Sequence, residues 1–284
     1  MIPPTFIRGK HGIVSSWAGG FPGATLKGPE GDLKLSRRQS VQTLAGVAAF
    51  APNPMAARRA PAIRLVVLDV GGTIIEERGD VPETLRTAFA NHGIAVSPAE
   101  IGQWRGASKR EIVRHFVDKQ TLTPGADREK LADDIYQDFS ARLNAAYQTV
   151  PPIAGAEDAI RKLRESGYLV ATTTGFDRQI TTAIFRRLGW EKNFVASVCS
   201  DDVALGRPAP FMIFHAMEAA RVSSVAEVMA VGDTPLDLQA GSNAGLGGVV
   251  GVLSGASKVE QLRREPHTHI LPSVANLPGL LERV

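Results

Sequence analysis

Four short stretches of this chain hold the residues best suited to chemistry. They are DVGGT at 69–73, ATTTGF at 171–176, DDVALGRPAP at 201–210 and VGDTPLD at 231–237. Each is a common motif alone, but each follows an apolar run, and in this order they reinforce one another. Together they suit phosphoryl transfer from a phosphate or phosphonate. Asp69, at the end of IRLVVLD, is the candidate nucleophile; its attack would form an acyl phosphate that water then hydrolyses. A dianionic phosphoryl group repels a carboxylate, so a cation is needed. Asp69 and Asp233, with the Gly71 carbonyl, could hold Mg²⁺, a hard ion that favours oxygen ligands. The hydroxyls of Thr73, Thr172, Thr173 and Thr174, with nearby loop N–H groups, would hold the other phosphoryl oxygens. Arg207 would add a fixed positive charge, and Asp237, four residues after Asp233, would support the metal or that cation. A proton-handling group is missing from the obvious place: two residues after Asp69 stands Gly71.

Positioning these residues requires a layered α/β core. Apolar, β-branched runs predict strands over Arg64–Asp69, Tyr168–Thr174, Phe194–Ser200, Glu227–Asp233 and Gly248–Leu253. Helical patterns predict helices over Ala156–Ser166, Arg178–Leu188 and Ala209–Ala220, and the tail adds a short strand and helix. Strands alternating with helices imply a Rossmann-like parallel sheet covered on both faces. One region breaks the alternation. Residues 82–148 contain no strand pattern and three helical stretches. The second opens on Ser97-Pro98-Ala99-Glu100, a capping box with Pro at the first helical position. The third runs over about Asp127–Tyr147 and stops before Pro151-Pro152. This predicts an all-helical cap over 81–151, inserted into a core of 63–80 and 152–284. It would hang over the carboxyl ends of the strands, where open parallel sheets bind ligands.

Taken together, the four motifs resemble those of the haloacid dehalogenase-like hydrolases over about residues 63–284. Within that superfamily the chain looks most like the phosphonatase branch, the phosphonoacetaldehyde hydrolases and their relatives. Three features carry this: a small residue two after the nucleophile, TTG after the second strand, and GRPAP with Arg where Lys is more frequent. The resemblance implies a nucleophilic Asp69, a Mg²⁺ site at Asp69 and Asp233, and the helical cap. It also bears on Gly71. Most phosphatases of the superfamily carry an acid–base Asp there, and losing such a group costs about 10²–10⁴ in rate. Phosphonatases instead use a cap lysine in a G-x-x-K segment, which forms a Schiff base with an aldehyde substrate. This chain has Gly106 and Lys109 in RGASKREIV. Lys109, Ile112, Val113 and Phe116 share one helical face, so desolvation could lower the lysine pKa; Lys109 could equally snorkel from that face's edge. Three positions depart from phosphonoacetaldehyde hydrolases. Ile112 replaces a His, which removes a proton carrier; Arg105 replaces a Met and could bind an anionic leaving group; Phe176 replaces a Tyr.

The expected activity is Mg²⁺-dependent hydrolysis of small phosphorylated or phosphonylated metabolites through an aspartyl phosphate. Two alternatives stay open: an ordinary phosphate-ester phosphatase of phosphoglycolate type, and a non-catalytic ligand-binding protein of the same fold. Composition fits a globular chain of 284 residues, 44% hydrophobic and 21% charged. The first 60 residues carry eight Lys and Arg against two acidic residues, while the rest holds 24 of the 32 basic and 27 of the 29 acidic residues. The basic excess therefore belongs to the leader and is no nucleic-acid footprint. Residues 1–62 read as a twin-arginine-type export signal around Ser36-Arg37-Arg38 or as a disordered extension. They point to a periplasmic or exported protein, or to a cytoplasmic one starting at Met55. No segment reaches the length of an apolar membrane span. The lone Cys199 reads as a small core residue, His267 and His269 as structural, and Trp104 as cap packing beside the entrance. The sequence leaves oligomeric state open, a homodimer being one option.

Overall fold

The computed structural model describes residues 63–120 and 125–283; the leader expected over 1–62 lies outside the described residues. Six parallel strands form one sheet in the order β3-β2-β1-β4-β5-β6. They are β1 Leu65–Asp69, β2 Leu169–Thr173, β3 Ala196–Val198, β4 Val228–Gly232, β5 Gly248–Val252 and β6 His269–Leu271. Strand β1 is buried along its whole length, as a central strand covered on both faces must be. Its alternate residues feed two cores. Val66 and Leu68 pack with Ile160, Leu163 and Ile184. Leu65 and Val67 pack with Met212, Ile213 and Ala216 on the other face. The covering helices are α5 Ala156–Glu165 and α6 Arg178–Leu188 on one face, and α7 Phe211–Ala220 and α8 Pro235–Asn243 on the other; α9 Val259–Leu262 and α10 Leu277–Leu281 complete the core. The strand order reverses direction between β1 and β4, which opens a ligand crevice at their carboxyl ends.

Between β1 and α5 come four helices: α1 Asp80–Asn91, α2 Pro98–Gly102, α3 Lys109–Gln120 and α4 Gly125–Ala146. The capping box holds, with Ser97 accepting from Glu100 N–H and Glu100 from Ser97 N–H. The single second helix expected there is in fact two. The chain turns at 103–108, where Gly106 adopts φ 86°, a conformation that favours glycine. A Cβ at Gly106 would also lie 2.4 Å from Thr234 Oγ1, so at this turn the insert lies close against the core. The two stems of the insert are tied together. Glu76 N–H donates to Pro151 O and Ile153 N–H to Ile74 O, both at 3.0 Å. The insert buries Phe89, Phe116, Ile135, Phe139 and Leu143, which join the same apolar cluster as Val66 and Leu68 of the sheet. A second tie reaches the core domain, where Tyr136 of α4 donates to Asp177 at 2.5 Å. That carboxylate also caps α6 by accepting from Ile180 N–H at 2.8 Å. Among the described residues no helix is long and apolar enough to cross a membrane.

Candidate active site

Asp69 ends β1, and Asp233 follows the end of β4, its neighbour in the sheet. Topology alone therefore brings together two carboxylates that are far apart in sequence. Asp237 joins them from the first turn of α8. Its Oδ2 accepts from the Thr234 N–H at 3.0 Å and from Thr234 Oγ1 at 2.5 Å. One oxygen from each of Asp69, Asp233 and Asp237 lies within 4.8 Å of the others. Arg207 faces this cluster and is itself buried. Its Nη1 lies 2.7 Å from Asp69 Oδ1 and 2.8 Å from Asp237 Oδ1. Its Nη2 donates to both the carbonyl and the hydroxyl of Thr173 at 2.8 Å.

Charge is the notable property of this cluster. Three buried carboxylates face one guanidinium, and uncompensated charge in a dry site is costly. The protonation balance reflects it. Burial, reinforced by Asp237 and opposed by Arg207, pushes the Asp69 carboxyl up to about 6. Burial and the charges of Asp69 and Asp237 hold Asp233 well above the usual carboxylate range. For Arg207, burial acts downward, but Asp237 and Asp69 outweigh it and raise its pKa. A divalent cation between Asp69 and Asp233 would supply the missing positive charge, and an all-oxygen donor set suits Mg²⁺. The cradle is tight. Asp233 Oδ2 accepts from Ala256 N–H at 2.6 Å, and Ser254 donates to the Gly72 carbonyl at 2.8 Å. A Cβ at Gly72, where φ is 83°, would come within 2.5 Å of Asp233 Oδ2.

Above the carboxylates lies a cavity lined by Asp69, Gly71, Thr174, Arg207, Asp233 and Thr234 from the core, and by Arg105, Gly106 and Lys109 from the insert. Val81, Leu85, Ile101, Trp104, Ile112 and Phe176 supply its apolar wall. Lys109, at the start of α3, is buried rather than snorkelling outward. Its Nζ donates to Ala107 O at 2.9 Å and lies 5.2 Å from the centre of the Phe176 ring. Burial, with Arg207 adding and Asp69 opposing, holds its amine below the ordinary lysine range. Arg105 reaches across to the core, Nη1 donating to Ala256 O at 2.9 Å. Glu111 accepts from Gly206 N–H at 2.7 Å, which ties α3 to the loop presenting Arg207.

Not every expected site residue faces the cavity. Thr172, in β2, is fully buried within the sheet and its hydroxyl has no partner. The Thr173 hydroxyl is engaged by Arg207, and Thr174 Oγ1 accepts from Phe176 N–H at 3.2 Å. Thr73 is buried with an unpartnered hydroxyl. Cys199 sits in the core, where burial pushes its thiol up to about 11. His267 is exposed, and His269 lies in the terminal strand β6, away from the cavity. Trp104 does line the cavity, with its ring 4.5 Å from that of His115. Sequence reasoning missed Glu77, and also the Ser254–Ala256 loop after β5. The loop was within reach, because it ends a parallel strand on the same edge of the sheet. Glu77 lies in an acidic run, EERGD, in which nothing distinguishes it.

With this geometry the comparisons with known proteins agree. The haloacid dehalogenase-like hydrolase family model matches residues 63–245. The chain belongs to the haloacid dehalogenase-like hydrolases, in their phosphonatase-like branch. It is an enzyme of the phosphatase and phosphonatase type. A phosphonoacetaldehyde hydrolase of Bacillus cereus is 30% identical over 210 residues, covering 69% of this chain and 78% of the relative. Among solved structures, a hydrolase from Pseudomonas syringae superposes with a TM-score of 0.69 at 17% identity, covering 78% of this chain and 99% of that one. A phosphonoacetaldehyde hydrolase-like protein from Oleispira antarctica gives 0.67 at 22%, covering 79% and 93%. At these identities the two structures speak for the fold alone.

Proposed function

We propose that this protein hydrolyses small phosphonylated metabolites bearing an aldehyde, with Mg²⁺ held by Asp69 and Asp233 and with Lys109 as an imine-forming residue. The observation that carries this reading is the buried Lys109 amine opening into the same cavity as Asp69. Burial keeps a larger share of that amine neutral and nucleophilic near pH 7. Its attack on the aldehyde carbon forms a carbinolamine, and loss of water gives an imine. Asp69 then attacks phosphorus. The P–C bond breaks and its electron pair moves into the imine, leaving an enamine that is protonated at carbon and hydrolysed to free Lys109, while a second water hydrolyses the aspartyl phosphate to release phosphate and free Asp69. Mg²⁺ supplies positive charge that offsets the phosphoryl oxygens and the clustered carboxylates. Arg207 braces Asp69 in the orientation for attack, and Asp237 and Thr173 hold the guanidinium in place. The apolar wall excludes bulk water, which would hydrolyse the imine early.

A second reading is supported by Arg105 on the cavity wall and by Ile112 where the relatives' sequence pattern carries a His. On that reading the enzyme is a phosphate-ester phosphatase, and Arg105 and Lys109 only bind substrate anions. Borohydride trapping with phosphonoacetaldehyde separates the two. A reduced adduct on Lys109 supports the imine route; phosphate release from esters such as phosphoglycolate, with no adduct, supports the ester route. Loss of turnover in Asp69→Asn, measured with Mg²⁺ present, is expected on both. We also propose export through the leader, which N-terminal sequencing of the native protein tests.

A further inference from the structure

The cavity contains one carboxylate with no task so far. Glu77 lies between the β1 turn and α1, half-buried, and lines the cavity together with Asp69, Gly71 and Lys109. Its Oε1 accepts from Gly79 N–H at 2.8 Å, which fixes the side chain. Among the described residues its other oxygen has no hydrogen bond, and no cation pairs with it. Of the carboxylates that act on Lys109, Asp69 and Asp237 are committed to Arg207, whereas Glu77 is not.

The places where a proton carrier would otherwise stand are filled by carbon. Gly71 has no side chain, and a Cβ there would already lie 3.4 Å from the Phe176 ring. That ring is buried. Ile112 presents only hydrocarbon to the cavity. Tyr147 stands edge-on to Phe176 at 5.5 Å, and its buried hydroxyl has no partner.

We propose that Glu77 is the proton carrier of this site, working on the leaving-group side of the phosphorus and replacing the carboxylate absent at position 71. As the Asp69–phosphorus bond forms, the bond from phosphorus to the leaving atom breaks, and the Glu77 proton passes to that atom: oxygen in an ester, carbon in the enamine. Water then occupies the vacated position. Its oxygen attacks phosphorus, its proton returns to Glu77, and the phosphorus–Asp69 bond breaks to release inorganic phosphate. Both carboxyls are reset and no other reactant is consumed. The proposal rests on Asp69 as nucleophile but not on imine formation at Lys109.

The test uses the full chain with Mg²⁺ and two probes that differ in leaving group. 4-Nitrophenyl phosphate releases a stable anion without protonation; phosphonoacetaldehyde and phosphoglycolate do not, and whichever of these two the wild type turns over faster serves as the second probe. Glu77→Gln is expected to lower kcat on that second probe about 10²–10³-fold with KM within threefold. On 4-nitrophenyl phosphate it is expected to keep a full burst of nitrophenolate, followed by slow turnover because the water lacks its base. Glu77→Asp should restore part of the rate. Equal losses on both probes with no burst, or kcat within threefold of wild type, would overturn the proposal. Turnover surviving in Asp69→Asn would overturn the nucleophile assignment, and this one with it. Loss in Asp69→Asn with none in Glu77→Gln would overturn the role of Glu77 alone.

Discussion

Removing divalent cation should make the protein unusually sensitive to mild alkali. Metal-free, the carboxyl of Asp69 is raised from 3.8 to about 6 by burial. A raised carboxyl pKa means the folded state holds its proton more tightly than the unfolded chain. The associated stability is fully present below pH 3.8 and is lost as pH rises through about 6. At about 1.4 kcal/mol per pKa unit, Asp69 alone accounts for a loss of about 3 kcal/mol. Asp233 is shifted the same way and deepens it. In a domain of this size about 3 kcal/mol corresponds to a fall in Tm of roughly 6–12 °C. Thermal unfolding in chelator between pH 4.5 and 7.5 samples roughly two thirds of this, about 2 kcal/mol or roughly 4–8 °C from Asp69. Saturating Mg²⁺ should reverse the fall, since a ligand at 100 times its Kd adds about 2.7 kcal/mol. Asp233→Asn should flatten the pH dependence and abolish the response to Mg²⁺. Stability in chelator that is flat or rising over this range, or a Tm that ignores Mg²⁺ in the wild type, would refute the charge argument.

Other outcomes follow from single contacts. Lys109→Ala should lower turnover of phosphonoacetaldehyde at least about 10³-fold, as expected for loss of a covalent catalyst. Lys119→Ala, which removes only a surface pair with Glu100, should leave steady-state rates within twofold. Gly106→Ala would strain a residue at φ 86° and drive its Cβ into Thr234, so kcat should fall and urea unfolding should show a loss of about 1–3 kcal/mol. Tyr136→Phe removes the side-chain hydrogen bond that ties Asp177 to the insert and should cost about 1–3 kcal/mol in the same assay.

Much of this arrangement was legible in the sequence because parallel sheets write it plainly. Continuous apolar runs located five strands to within a residue or two at most ends, and polar residues at their carboxyl ends located the site. Helix α6 follows its periodicity from Arg178 to Leu188, helped by Asp177 at its N-cap. Strand β3 is shorter than its apolar run, Ala196–Val198 rather than 194–200, because an edge position pairs on one side only. Helix α8 was not expected. Its sequence, PLDLQAGSN, lacks an amphipathic pattern, and it forms around the Thr234–Asp237 capping box and a small-residue face packed on the sheet. The break between α2 and α3 also escaped, because the roughly 1 kcal/mol that a glycine costs inside a helix does not by itself end one. Its reason is tertiary, the close approach to Thr234. For the site, residue types were readable but orientations were not. Arg207, read as a fixed positive charge, does line the cavity, but the sequence did not show that Asp69, Asp237 and Thr173 would engage its guanidinium. Local spacing cannot tell which side of a strand end a long side chain will choose.

The account stands on Asp69 accepting the phosphoryl group. A single turnover of phosphonoacetaldehyde, with enzyme in excess and Mg²⁺ present, can be quenched in acid within milliseconds and its peptides examined by mass spectrometry. A phosphoryl adduct on the peptide bearing Asp69, absent in Asp69→Asn, is the expected result. Complete turnover with no adduct at any time point, or with the adduct on another residue, would contradict the account.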